Sequence, residues 1–119
     1  MPENAKVAVF EDNNDYQFTV GGILGDFGHA VVAKATNVSE AEAIMGELES
    51  GKLRVDAVLI DGNLDNEETN TQHGAEFAQR LKALGIPTIE IASKHQGFGD
   101  YSSPKNTYFT NLGEIVTDL

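Results

Sequence analysis

Two short apolar runs in this chain each stop on carboxylates. Val7-Ala8-Val9-Phe10 runs into Glu11-Asp12, and Ala57-Val58-Leu59-Ile60 runs into Asp61. Acids crowded at one point repel one another unless a cation sits among them. Hard oxygen ligands suit a divalent ion, and Mg²⁺ in particular is held by one or two carboxylates with waters and phosphate. Glu11, Asp12 and Asp61 are therefore candidate metal ligands, provided the fold brings the ends of the two runs together.

A continuous apolar run without polar alternation reads as a strand buried on both faces, the habit of a parallel sheet covered by helices. In such sheets ligands bind at the carboxyl ends of the strands. The pattern predicts strands at Lys6–Phe10, Ala30–Thr36, Val55–Ile60, Thr88–Ala92 and Thr107–Thr110. A helix is expected over Asp15–Phe27, stopped by Gly28 and weakened by Gly21, Gly22 and Gly25, each costing about 1 kcal/mol relative to alanine. Ser39 and Glu42 form a capping box that opens a helix from Glu40 to Ser50, which Gly51 closes. Ala75–Leu84 carries Phe77, Ala78, Leu81 and Leu84 at helical spacing and ends at Gly85. Gly62–His73 is polar, acidic and without period, hence a long loop. From Ser93 to Asn106 the signal fades into glycine, serine and proline, so only a short, irregular helix is expected there. Leu112–Leu119 is a final helix. Strands alternating with helices predict an α/β domain with right-handed crossovers.

The 119 residues fit a single domain, 1–119. The chain has no cysteine, which excludes disulfides, a thiolate nucleophile and a sulfur-based zinc site. No apolar stretch is long enough for membrane insertion, and no signal-peptide pattern opens the chain, so a cytoplasmic protein is the default. A formal net charge of −11 argues against direct nucleic-acid binding, which needs a basic footprint. It favours partners with a basic or apolar docking patch.

The pattern resembles a response-regulator receiver domain, the phosphoacceptor half of two-component signalling, over nearly the whole length. The similarity rests on the acidic pair Glu11-Asp12 after the first strand, Asp61 ending the third, Gly74 opening the third helix, and Pro87 before the fourth strand. The resemblance implies a flavodoxin-like fold with helices on both faces of a five-stranded parallel sheet in the order 2-1-3-4-5. It further implies that Asp61 is the nucleophile toward a phosphohistidine, presented by a histidine kinase or histidine phosphotransfer protein. Asp12 and Asp61 would ligate Mg²⁺ with the carbonyl of Asn63, and Glu11 would act through a bound water. A stand-alone receiver is not an enzyme, and its signal leaves through a downstream protein partner. In the family that exit surface involves the fourth helix, fifth strand and fifth helix.

Departures from the family pattern concentrate at the switch positions. Counting from Pro87, the family's Thr or Ser at the end of the fourth strand is Ala92 here, with Ser93 one residue later. The family's Lys-Pro after the fifth strand aligns with Asn111-Leu112, while Tyr108 sits where the switch aromatic belongs. Asn can donate a hydrogen bond but brings no charge to phosphoryl oxygens. Lys94 or Lys105 could supply it instead. The loop after Asp61 is longer than usual and lacks the family's proline.

Two other functions remain open on the sequence. A pseudo-receiver would keep the fold, and the metal, yet signal without phosphorylation. A metal-dependent phosphatase would use Asp61 as nucleophile, but its second acid, two residues on, is Asn63 here. The ordinary readings are a helix cap or turn for Asp61, and solvated loop residues for His29, His73, His95 and Asp65–Glu68.

Overall fold

The computed structural model describes residues 4–61, 73–91, 99–103 and 111–119. Along the chain these form β1 (Lys6–Phe10), α1 (Asn14–Asp26), β2 (Ala30–Ala35), α2 (Val38–Ser50), β3 (Ala57–Ile60), α3 (His73–Ala83), β4 (Thr88–Glu90), β5 (Tyr101–Ser102) and α4 (Leu112–Asp118). All neighbouring strands pair in parallel, in the order β2-β1-β3-β4-β5. The expected fold class and strand order are both present.

Strand alternation sorts the core into two layers. Val7, Val9, Ala57, Leu59 and Ile89 pack against Val20 and Leu24 of α1 and Leu112 and Val116 of α4. Ala8, Phe10, Val58 and Ile60 point the other way, onto Ala41, Ile44, Met45 and Leu48 of α2 and Phe77 and Leu81 of α3. The continuous apolar runs are thus explained: every residue of β3, and Val7–Phe10 of β1, is covered on its own side. Phe10 meets Phe77 edge-to-face, with ring centroids 5.5 Å apart. On the edge strand β2 the register slips, so that Val32 has no partner on β1 and is exposed. A bulge of this kind blunts a free edge.

The caps differ in detail from the sequence reading. For α2 the cap is Asn37, whose Oδ1 accepts the Glu40 N–H at 2.8 Å, and the Glu40 carboxylate reaches back to the N–H and hydroxyl of Thr36, both at 2.7 Å. The reciprocal arrangement expected of Ser39 and Glu42 is therefore formed further upstream, because Asn37 already satisfies the orphan donor. Gly28, Gly51 and Gly85, the expected stops, do end their helices in the left-handed region. Glu42 serves instead across the α2–α3 interface, where Arg80 Nη1 donates to both its oxygens at 2.8 Å, while Arg80 Nε and Nη2 grip Glu49 bidentately at 3.2 and 2.6 Å.

These surface contacts carry a pH signature. The bonds from Thr36 hold the Glu40 carboxyl below the ordinary glutamate range, and the Arg80 bond does the same to Glu49. A depressed carboxylate stabilises the fold fully above its ordinary range, and that contribution is lost as pH falls through the lowered value. Replacing Arg80 with Ala is expected to lower the urea midpoint slightly, with a smaller loss in molar salt, because exposed ion pairs are weak and screened. A salt-independent loss in urea titrations would instead assign the effect to packing over Phe77.

His29 is not a solvated loop residue. It is buried, and its Nδ1 accepts the Ala5 N–H at 3.0 Å while Nε2 lies 3.0 Å from Thr117 Oγ1. The Thr117 hydroxyl donates to Gly113 O at 2.8 Å, so the ring proton sits on Nε2 and donates to Thr117. The imidazole ties the start of β1 to α4. His29→Ala, read by equilibrium urea unfolding, is expected to cost about 2 kcal/mol, because it strands the buried Ala5 N–H.

The sequence placed the fifth strand at Thr107–Thr110, residues outside those described. Strand β5 lies earlier, at Tyr101–Ser102, within the stretch expected to be irregular. Tyr101 pairs with Ile89 and Ser102 with Glu90, so register with β4, rather than a β-prone run, defines it. Among the described residues no helix is long and apolar enough to cross a membrane.

Candidate functional site

The last paired residues of the five strands form one row across the sheet: Ala35, Phe10, Ile60, Glu90 and Ser102. One residue further on, four strands are tied by the same backbone bond to a neighbour. Glu11 N donates to Ala35 O at 2.9 Å, Asp61 N to Phe10 O at 2.8 Å, Ile91 N to Ile60 O at 3.0 Å, and Ser103 N to Glu90 O at 2.9 Å. The residues that project from the carboxyl edge are therefore fixed by the ladder itself. Parallel strands lie about 4.8 Å apart, so side chains leaving β1 and β3 at this level converge.

What they bring together is acid. Glu11, Asp12 and Asp61 each offer a carboxylate oxygen, and these oxygens all lie within 4.8 Å of one another. Glu11 is fully buried, Asp61 is 8% exposed and Asp12 is half-buried. Glu11 Oε2 accepts the Asn13 N–H at 3.4 Å, and Asn13 Oδ1 caps α1 through the N–H groups of Asp15 (2.8 Å) and Tyr16 (3.2 Å). The acidic turn and the first turn of α1 are thus one bonded unit. An all-oxygen donor set, partly sunk into the sheet edge, fits a hard divalent cation such as Mg²⁺ and offers nothing to a soft one. All three acids singled out from the sequence meet here.

The remaining expected site residues fare differently. Asn63, Ala92, Ser93 and Tyr108 lie outside the described residues. Asn111 stands at the N-terminus of α4, where its side chain makes no capping bond; the residues just before it, 104–110, lie outside those described. The residue at the tip of β5 is Ser103, buried, and its hydroxyl donates to Asn111 Oδ1 at 2.8 Å. Among the described residues the tip of β5 thus carries a neutral hydroxyl–amide pair, while Lys94 and Lys105 lie outside them.

Two further buried polar residues at this edge escaped the sequence reading. Glu90 is 1% exposed in the last row of β4, beside Ile60. Gln17 of α1 is likewise buried, on the stripe it shares with Val20 and Leu24. A polar residue on an otherwise apolar helical stripe was the signal for Gln17.

Comparison with known proteins returns structures rather than sequences. No family model matches the chain, and no curated protein matches it. Its fold is similar to the receiver domain of the putative response regulator NarL from Mycobacterium tuberculosis, with a TM-score of 0.71 at 19% identity, covering 98% of this chain and 96% of that one. It is similar to the phosphorylated cyanobacterial phytochrome response regulator RcpA, with a TM-score of 0.68 at 20% identity over 97% and 90% of the two chains. The Mn²⁺-bound form of response regulator Rcp1 gives a TM-score of 0.68 at 16% identity over 96% and 90%. The fold is that of response-regulator receiver domains.

Proposed function

We propose that this chain is a receiver-type phosphoacceptor, with Asp61 as the residue that takes the phosphoryl group. The observation that carries the reading is the meeting of Glu11, Asp12 and Asp61 at adjoining strand ends. Asp61 leaves the central strand β3, with its own N–H tied to Phe10 O, so the backbone of the nucleophile is fixed to the neighbouring strand. A divalent ion, Mg²⁺ in our reading, would be held by Asp12 and Asp61, by Glu11 through water, and by the carbonyl of Asn63. When bound it neutralises charge on the phosphoryl oxygens, which lets an anionic carboxylate approach an anionic donor. An Asp61 carboxylate oxygen attacks phosphorus and the P–N bond of a phosphohistidine breaks. The aspartyl phosphate keeps the phosphoryl group, and the imidazole leaves with the bonding pair and takes a proton. Donors of this chemistry are histidine kinases and histidine phosphotransfer proteins. The chain acts as a cytoplasmic signalling module rather than a turnover enzyme, and its output passes to a downstream protein partner, without direct nucleic-acid or membrane contact.

The test is intact-mass analysis after incubation with a small acyl phosphate and Mg²⁺. Wild type is expected to gain one phosphoryl group and Asp61→Ala none. Wild type that gains none sinks the reading, as does undiminished labelling of Asp61→Ala.

One observation favours a second reading, a pseudo-receiver that signals without phosphorylation. Among the described residues, the tip of β5 carries Ser103 bonded to Asn111 and no ammonium. Metal binding without any phosphoryl gain would select this reading.

A further inference from the structure

We infer that Gln17 is a positioning residue for the acidic site, acting through the backbone on which Glu11 and Asp12 stand. This rests on the metal-site reading above. The Gln17 side chain is 5% exposed. Its Nε2 lies 3.1 Å from Val9 O, 3.2 Å from Glu11 O and 3.1 Å from Ala35 O. An amide nitrogen has two protons, so three carbonyls share them in a forked arrangement. The carbonyl of Glu11 belongs to the peptide that links Glu11 to Asp12. Fixing it fixes the plane from which the Asp12 side chain departs.

Ala35 O is shared by two donors: it accepts from Gln17 and from Glu11 N at 2.9 Å. The amide therefore bridges the tips of β1 and β2 at the point where the ladder ends. Helix α1 supplies the third support, since Gln17 N bonds to Asn13 O at 3.0 Å and the Asn13 N–H bonds to Glu11 Oε2. The acid pair is clamped by its carbonyl on one side and by its carboxylate on the other, both through the first turns of one helix.

A feature of the same side chain argues against a mere filler. Gln17 Oε1 is buried without a hydrogen-bond partner among the described residues. A buried unsatisfied acceptor is unfavourable, and an apolar residue would fill the stripe beside Val20 and Leu24 without it. What the amide supplies in place of that apolar fill is its donors, which bind Val9 O inside β1 and Glu11 O and Ala35 O at the edge that carries the acids.

The experiment compares Mn²⁺ affinity by calorimetry in wild type, Gln17→Met and Val20→Ala. Val20 is buried on the same helix, so its truncation loosens α1 without touching the clamp. Gln17→Met is expected to weaken Mn²⁺ binding about tenfold, the scale of losses at groups that orient ligands, while Val20→Ala stays close to wild type. Equal weakening in the two variants makes Gln17 a structural residue only and overturns the inference. Wild type that binds no Mn²⁺ overturns the site reading itself, a separate outcome.

A measurement on wild type covers the case in which Gln17→Met does not fold. The Gln17 side-chain NH₂ resonances are expected to exchange slowly with solvent and to shift with Mg²⁺ in step with the Asp12 amide. Resonances that exchange freely, or stay fixed while Asp12 shifts, overturn the inference.

Discussion

Replacing Asp61 with Asn is expected to stabilise the protein without metal and to remove the stabilisation that metal confers. Three carboxylate oxygens within 4.8 Å repel by roughly 1 to 3 kcal/mol per charged pair at effective dielectric constants of about 20 to 80. Neutralising one of them, with its shape kept, is expected to raise the metal-free unfolding free energy by about 1 kcal/mol. Added Mg²⁺ reverses the order. At a hundredfold excess over Kd a ligand that binds only the folded state contributes about 2.7 kcal/mol, and only wild type keeps the full site. Urea unfolding of both proteins with and without Mg²⁺ checks this. A variant less stable than wild type in the absence of metal, or equally stabilised by it, contradicts the account.

Gly113→Ala is the second large effect. Gly113 lies in α4, buried, and a Cβ built on it would fall 2.2–2.5 Å from three ring atoms of Phe27. Phe27 caps the end of α1, so the missing methyl is what lets that ring lie on α4. Alanine is the better helix former by about 1 kcal/mol, yet the clash forces the ring or the helix to move. The Phe27 ring is 48% exposed and can turn partly aside, so overpacking at the middle of its usual cost, about 2 kcal/mol, still outweighs the propensity gain. A double-mutant cycle with Phe27→Ala decides the mechanism. With the ring removed, Gly113→Ala is expected to become neutral or stabilising, and an unchanged loss would place the strain elsewhere.

The fold was legible because its strands are apolar on both faces and its helices end at glycines. Val7–Phe10 and Ala57–Ile60 read as central parallel strands, and their acidic ends named the three carboxylates that meet at the sheet edge. What was hidden is decided by tertiary pairing. Strand β5 has two residues, Tyr101 and Ser102, without an apolar run. It exists because Asp100 and Thr88 exchange bonds ahead of it: Asp100 N donates to Thr88 O at 2.9 Å, and Thr88 N to Asp100 Oδ2 at 3.0 Å. Propensity pointed instead to the run from Thr107, which lies outside the described residues. Gln17 and His29 were hidden for a related reason. Their roles depend on backbone groups that only folding brings to them: the carbonyls of Val9, Glu11 and Ala35 for Gln17, and the Ala5 N–H for His29.

The strand-end ladder seats Glu11, Asp12 and Asp61 together, a donor set that fits a divalent metal. Titrating Mn²⁺ into ¹⁵N-labelled protein tests that fit most directly, since paramagnetic broadening reports distance from the ion. The amide signals of Glu11, Asp12, Asn13 and Asp61 are expected to vanish first, at substoichiometric Mn²⁺. Broadening centred on the acidic run Asp65–Glu68, or none at the strand ends, would contradict the account.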